Sequence, residues 1–382
     1  MYVLGGGILS SLGVGLEAQV EALRALRPKA GRVTLTDLEE PRDYPYHALP
    51  AGAPKNLFER MDLAVAEALA AASLAPGEQR ALGIFIGSTS MALSEVEEGY
   101  RAALEAGDPD PPVHLTGFGI LAAHVAERFA IEGPQFVINT ACNSSANALI
   151  YAARMIAGGM LSHALVVGSE HFNRISLYGF ESLMLLDAES AKPFDKHRQG
   201  IELGEGVAAV VLGPAPLKSA QPPRFRFLGG ESRCDPQGLT CSSGERIAEI
   251  IAATLDTTGL APGDIAAIKA HGTSTPANDL TEGQGLRQVF ADRLPPFTTL
   301  KSMLGHTLGA CGAVETVSLL GCLEAGFLPA TVGFSTPDEE IGCRPLTENL
   351  PVGPGRYLLN FFGFGGNNSA FVISDHPGDG AP

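Results

Sequence analysis

The chain has 382 residues, 45% of them hydrophobic and 18% charged, with 46 glycines and no tryptophan. That composition can bury a large core, in two domains or one large duplicated one, and argues against disorder. A formal net charge of −16 argues against nucleic acid or an anionic membrane as partner, while leaving room for a local basic patch that meets an acidic protein.

Tyr2 to Leu4 reads as a short strand leading into Gly5-Gly6-Gly7. We read those glycines as a tight turn, because the third glycine offset and the downstream acidic residue of a dinucleotide fingerprint are missing. The N-terminus has neither a basic region nor a cleavage site, and no run of about twenty apolar residues occurs, so a cytoplasmic protein without a membrane span is expected. Glu17 to Leu26 and Leu57 to Leu74 read as helices, with a proline-rich loop over 27–56 between them. Leu82 to Ile86 is a buried strand, followed by helices at Glu95 to Leu104 and Ile120 to Phe129, with a loop over 107–112.

The stretch that organises the rest is Phe136 to Ile150. An apolar run, Phe136 to Ile138, predicts a buried strand, and Ala146, Leu149, Ile150, Ala153 and Ile156 lie on one helical face that ends at Gly158-Gly159. Cys142 sits at the turn between them, with Asn143, Ser144 and Ser145 as capping and first-turn residues. Unpaired amides and the positive helix end favour thiolate there, which makes Cys142 a candidate nucleophile, with a small buried hydrophobe as the alternative reading of a lone cysteine. The other cysteines, Cys234, Cys241, Cys311, Cys322 and Cys343, form no C-x-x-C pair and suggest neither zinc nor a disulfide framework.

Ala164 to Val167 and Val207 to Leu212 read as strands flanking an irregular segment over 169–200, and Pro214 to Pro223 marks the boundary between halves. The alternation then repeats. Strands are predicted at Phe225 to Leu228, Ile265 to Ala270, Phe297 to Leu300, Tyr357 to Phe362 and Ala370 to Ser374. Helices are predicted at Arg246 to Thr257 and Ala313 to Leu323, and Asp279-x-x-Glu282 reads as a capping box opening another. This pattern is α/β with mostly parallel sheets and a duplicated architecture. The tail from His376 is expected to be disordered.

Three further stretches put reactive or mobile groups just beyond strand ends, where open α/β sheets place their sites. They are His271-Gly-Thr-Ser-Thr-Pro276, Lys301-Ser-Met-Leu-Gly-His306 and Asn360-Phe-Phe-Gly-Phe-Gly-Gly-Asn367. Together with Thr140-Ala-Cys142 and Pro193-Phe-Asp-Lys-His-Arg-Gln-Gly-Ile-Glu-Leu-Gly-Glu-Gly206, they resemble the beta-ketoacyl synthases, in particular the elongating type. The resemblance covers nearly the whole chain. It implies the thiolase fold, two similar α/β halves (1–213 and 224–375) in a five-layered α-β-α-β-α sandwich. It also implies a decarboxylative condensation of a cysteine-bound acyl chain with malonyl-acyl carrier protein, in fatty acid or polyketide synthesis.

By that resemblance Cys142 is the nucleophile, His271 and His306 stabilise the enolate, and Lys301 and Glu315 form a supporting ion pair. The amides of Cys142 and Phe362 make the oxyanion hole, and Phe362, with Phe364 beside it, forms the gate. Thr273 and Thr275 hold the phosphopantetheine arm, and Gly117 leaves the floor of the acyl pocket open near a dimer interface. No cofactor and no metal are implied beyond the carrier's own arm. The implied partners are acyl carrier protein and a second copy of the chain, or a related subunit in its place. Lys55 and Arg60 are the candidates for a carrier docking patch. Asn143, Phe361 and Asn367 depart from the family's usual residues.

Three competing readings are weaker. A degradative thiolase would want a second cysteine near the C-terminal glycine loop, and residues 360–370 hold none. An idle chain-length-factor-like partner subunit would lack the nucleophile that Cys142 supplies. A Cys/His/His zinc site would consume the thiolate.

Overall fold

The computed structural model describes residues 1–36, 38–110, 117–215, 223–236, 238, 240 and 242–379. The first half contributes strands β1 (Tyr2–Ser10), β2 (Gly83–Gly87), β3 (Gln135–Ile138), β4 (Ala164–Glu170) and β5 (Gly206–Gly213). The second contributes β6 (Arg226–Cys234), β7 (Ala267–Lys269), β8 (Phe297–Thr298), β9 (Arg356–Gly363) and β10 (Asn367–Ser374). The first set lies in the order β1-β5-β4-β2-β3 and the second in the order β6-β10-β9-β7-β8. The two orders are the same permutation. In each, the first strand pairs antiparallel with the last, the last antiparallel with the fourth, and the remaining pairings are parallel. The duplication inferred from rhythm is therefore present in topology, but the sheets are mixed rather than mostly parallel. They join at a single pair, Tyr2 opposite Arg226.

Six helices complete the layers: α1 (Leu57–Ala72), α2 (Ile120–Arg128), α3 (Ser144–Ala157), α4 (Gly244–Thr258), α5 (Pro276–Phe290) and α6 (Cys311–Glu324). α1 and α2 cover the outer face of the first sheet, where Met61, Val65 and Val125 meet Ile84, Ile86 and Val211. α4 and α5 cover the outer face of the second, where Ile251 and Leu286 meet Ile268, Leu358 and Val372. α3 and α6 lie between the sheets, and their core joins Ile8 and Val210 of one to Phe227 and Phe371 of the other. This is the five-layered α-β-α-β-α thiolase fold. α6 is buried from Cys311 to Leu323 on every side, as a helix between two sheets must be.

Several sequence expectations need correction. Gly5-Gly6-Gly7 is not a turn but the middle of β1. A Cβ at Gly5 would stand 2.2 Å from the Ala68 carbonyl oxygen, and one at Gly7 would stand 2.1 Å from that of Ala64. The glycines let α1 lie directly on the strand backbone. The loop over 27–56 contains an antiparallel pair, Gly31–Leu35 with Arg42–His47, and the segment over 169–200 contains the helix Arg174–Ser182. The tail is anchored rather than disordered as far as it is described. Asp379 pairs with Arg356 at 2.7 Å and accepts from Ser374 Oγ at 2.5 Å. Cys241 and most of the Pro214 to Pro223 boundary, at 216–222, lie outside the described residues.

Candidate active site

Cys142 stands between β3 and α3, one residue before the N-cap Asn143. The turn is tight because Ala141 takes φ 57°, a left-handed conformation that costs a non-glycine residue energy and that the surroundings must enforce. Ser144 Oγ enforces it locally, accepting from the Thr140 amide at 2.9 Å and donating to the Ala141 carbonyl at 2.6 Å. Cys142 is buried, and burial pushes its thiol up to about 11. The Phe364 amide, which faces the sulfur, and Lys301 pull the other way with smaller effect. The expectation of a ready thiolate is thus corrected: two or three donors do not offset the loss of water around the sulfur.

His271 follows β7 and His306 follows β8, the two parallel neighbours at the far edge of the second sheet. Their rings are nearly perpendicular, with centroids 5.4 Å apart. Burial, followed by Lys301, holds both imidazoles well below their usual range, so both are neutral at pH 7. The His271 backbone is held from α5. Glu282 accepts the His271 and Gly272 amides at 2.8 Å each, and Asp279 accepts the Thr273 amide at 3.0 Å and the Phe194 amide at 2.7 Å. The capping-box reading of these two acids is therefore wrong. The helix begins earlier, capped by Thr275, whose side chain accepts from Asn278 N. Asp279 in the first turn and Glu282 in the second instead face inward. The His306 backbone is pinned to the first half, its amide donating to Glu202 O at 2.7 Å and its carbonyl accepting from Gly204 N at 3.1 Å.

Lys301 Nζ meets Glu315 Oε1 at 2.5 Å. Sequence reasoning missed Lys269, whose Nζ meets the other oxygen, Oε2, at 2.6 Å and the Asn360 carbonyl at 2.7 Å. Burial lowers the Lys269 ammonium; burial is also the largest single effect on Lys301, but Glu315 together with Cys311 and Glu282 outweighs it and raises that ammonium. Glu170 was missed as well. From the end of β4 it accepts the amides of Thr89, Ser90 and Gly309 at 3.0 Å each, stitching the loop after β2 to the turn before α6. A lysine or glutamate inside an apolar strand was the available signal for both, since such groups are buried only when paired.

Cys142, His271, His306, Thr273, Thr275, Phe362 and Phe364 all line one cavity of about 290 Å³. Leu185, Ile201 and Ile247 supply apolar wall. Four placements differ from expectation. Phe362 lies within the β9–β10 ladder opposite Asn368, its ring against His271 at 5.6 Å. The amide at the Cys142 sulfur is that of Phe364, two residues on, where the chain has left the ladder. The Phe364 ring stacks on Phe180 with centroids 5.5 Å apart. Gly117 is exposed in the single chain and lies away from the cavity lining. Arg60 is no free surface cation. It pairs with Glu205 at 2.9 Å and donates to the Pro54 carbonyl at 2.7 Å, which leaves Lys55 exposed without it. Among the described residues, no group of His, Cys, Asp or Glu is placed to hold a metal ion, and no helix is long and apolar enough to cross a membrane.

Residues 57–216 match the family model described as the beta-ketoacyl synthase N-terminal domain, and residues 228–335 match the C-terminal domain. The 3-oxoacyl-(acyl-carrier-protein) synthase 2 of Coxiella burnetii is 30% identical over 77% of this chain and 75% of its own length. The protein of the same name from Vibrio cholerae is 27% identical over 98% of each chain. A solved structure titled as the ishigamide ketosynthase/chain length factor superposes with a TM-score of 0.86, at 26% identity over 98% of each chain.

Proposed function

The chain belongs to the beta-ketoacyl synthase family, an acyltransferase that condenses acyl units in fatty acid or polyketide synthesis, and from that premise we propose how its residues divide the work. Cys142 takes the acyl group. Its sulfur attacks the thioester carbonyl carbon of the donor while the amides of Cys142 and Phe364 donate to the developing oxyanion. The donor's C–S bond breaks, and the proton of the Cys142 thiol ends on the departing thiol of the carrier's phosphopantetheine. Because the thiolate is the reactive form and burial holds the thiol high, the proton must leave Cys142 as the new C–S bond forms, and the departing thiolate of the donor is where it ends.

A malonyl thioester then occupies the same cavity. Loss of CO2 leaves the electron pair of the broken C–C bond on the thioester oxygen as an enolate. His271 and His306, neutral and therefore N–H donors without excess charge, stabilise it. The enolate carbon attacks the acyl carbonyl on Cys142, and collapse of the tetrahedral intermediate expels the cysteine thiolate, which takes a proton from solvent. The Lys269–Glu315–Lys301 cluster supplies the positive field beneath the two rings, discouraging their protonation. Thr273 and Thr275, whose hydroxyls are 2.9 Å apart on the cavity wall, receive the phosphopantetheine arm.

The observation that carries this reading is the convergence of Cys142, His271 and His306 on one cavity, the first two from turns just after strands and His306 from the end of the short helix Lys301–Leu304. The test is to incubate purified protein with acyl- and malonyl-acyl carrier protein. An acyl adduct on the Cys142 peptide and a 3-oxoacyl product are expected, both lost in Cys142→Ala. Adduct formation elsewhere, or product from Cys142→Ala, overturns it.

We further propose that the protein works in the cytoplasm as a dimer with acyl carrier protein as its partner. The relatives' names refer to that carrier, and β3 is a free sheet edge with Phe136, Val137 and Ile138 only half-buried. A second copy of this chain is the simplest mate. The ketosynthase/chain length factor title supports a related subunit as the alternative.

A further inference from the structure

The proposed oxyanion donors belong to different halves of the chain. Cys142 is in the first half, and Phe364 is in the hairpin turn of the second. At their meeting point a Cβ on Gly363 would stand 3.1 Å from both Cys142 N and the Thr140 carbonyl oxygen, so the two backbones are nearly in contact. A relay of side chains crosses that junction. Asn143 Nδ2 donates to Ser369 Oγ at 2.6 Å, Ser369 Oγ donates to Asn147 Oδ1 at 2.6 Å, and Asn147 Nδ2 donates to Thr140 Oγ1 at 2.9 Å. Asn143 and Ser369 are wholly buried, and Asn147 is 1% exposed. Thr140 and Asn143 bracket Cys142 in sequence, and Ser369 lies on β10 opposite Phe361 of β9. The carbonyl of Cys142 is tied to the second half too, accepting from Cys311 Sγ at 2.8 Å.

We propose that Asn143 and Ser369 are positioning residues that hold the Cys142 amide in register with the Phe364 amide, so that both N–H groups meet one carbonyl oxygen. This rests on the reading of those two amides as the oxyanion donors. Stability does not account for Asn143. Its Oδ1 is buried with no hydrogen-bond partner among the described residues, and an orphaned acceptor of that kind costs stability. Nor does helix capping, since the N-cap side chain makes no cap bond and is spent entirely on Ser369. What remains is geometry. The Asn143 side chain holds the first turn of α3 against the hairpin that carries the second donor. A displacement of about 1 Å there misaligns one donor, enough to cost up to about a hundredfold in rate.

The two half-reactions separate this role from a structural one. Acyl transfer to Cys142 uses the oxyanion donors, whereas CO2 release from a malonyl thioester uses His271 and His306. In full-length Asn143→Ala and Ser369→Ala, acyl transfer at saturating donor should slow about tenfold or more, with the KM for the donor unchanged. CO2 release should stay at the wild-type level even though Ser369→Ala, which orphans Asn143 Nδ2 and Asn147 Oδ1, lowers the melting temperature. The double variant should be no slower than Ser369→Ala, because Asn143 acts through Ser369. Acyl transfer at the wild-type rate in either variant overturns the proposal. So does a parallel fall of both half-reactions with the melting temperature, which marks a merely structural role. A wild-type protein that takes no acyl group at all overturns the oxyanion reading, and the proposal with it.

Discussion

Glu282 accepts the backbone amides of His271 and Gly272, each at 2.8 Å, from a helix position eleven residues downstream. A carboxylate with two parallel acceptors thus fixes the peptide from which the imidazole hangs. Burial pushes Glu282 up to about 7, with those two amides opposing the shift. Glu282→Gln keeps the size but turns an N–H₂ toward one of two N–H donors. CO2 release should therefore fall about tenfold or more while acyl transfer to Cys142 persists. Comparing the two assays in this variant checks it, and equal loss in both would show general unfolding instead.

The free thiol of Cys142, held at about 11, predicts a distinctive alkylation profile. The thiolate is the reactive form, so the iodoacetamide rate at the Cys142 peptide should climb about tenfold per pH unit from pH 8 to 10 without a plateau. Peptide-resolved mass spectrometry separates it from the exposed Cys234. A plateau reached by pH 8 would show that the helix end and the Phe364 amide do outweigh burial.

His171 is buried against Arg60, and burial, then that arginine, lowers it to about 3. Above its unfolded value of about 6.5 both states are neutral and pH has no effect through it. Below that value the unfolded state takes up a proton that the folded state refuses, so stability falls as pH drops from 6.5 toward 3. One such group contributes about 1.4 kcal/mol per pH unit. His171→Gln should flatten the slope of unfolding free energy against pH in that window, read from urea titrations. The slope retained in this variant sets His271 and His306, lowered in the same direction, against Glu282, whose raised value acts in the opposite direction as pH falls from about 7.

Gly7 faces the Ala64 carbonyl across α1, with room for no more than a hydrogen. Gly7→Ala must push the helix off the first sheet, at a cost of about 1–3 kcal/mol or more. A lowered denaturant midpoint with an unchanged m-value is the expected result. Gly52→Ala, where an added Cβ meets nothing within 4 Å, serves as the control.

Gly117 is exposed in the single chain, so a role in the acyl pocket requires a second subunit against it. On that proposal Gly117→Ile narrows the pocket and shifts selectivity toward short acyl chains, because extra methylenes in a filled space cost about 1–3 kcal/mol. Product profiling across acyl lengths checks it, and light scattering establishes the dimer that it presupposes.

The short-range features were legible in the residues themselves. The apolar run before Cys142, the helical spacing after it, and the histidines placed just beyond strand ends each depend on neighbours a few positions away, where periodicity and turn chemistry act directly. The same holds for the motifs that carry the family resemblance. What the local pattern misread were places where a distant backbone decides the outcome. Gly5-Gly6-Gly7 looks like a turn until α1 lies against it. Asp279 and Glu282 match a capping box until the loop after β7 comes round to meet their carboxylates.

By itself, the sequence determined the duplicated α/β rhythm and the identity of the reacting groups, because strand and helix periods and side-chain chemistry are properties of local sequence. Only the tertiary structure decided the protonation of those groups and the pairing of charges. Burial took the water from Cys142, His271 and His306. The crossing of β7, β9 and α6 put Lys269 on Glu315. The meeting of the two halves set Asn143 against Ser369, 226 residues apart. Desolvation and long-range contact depend on what lies across the core, and no short window of residues contains that.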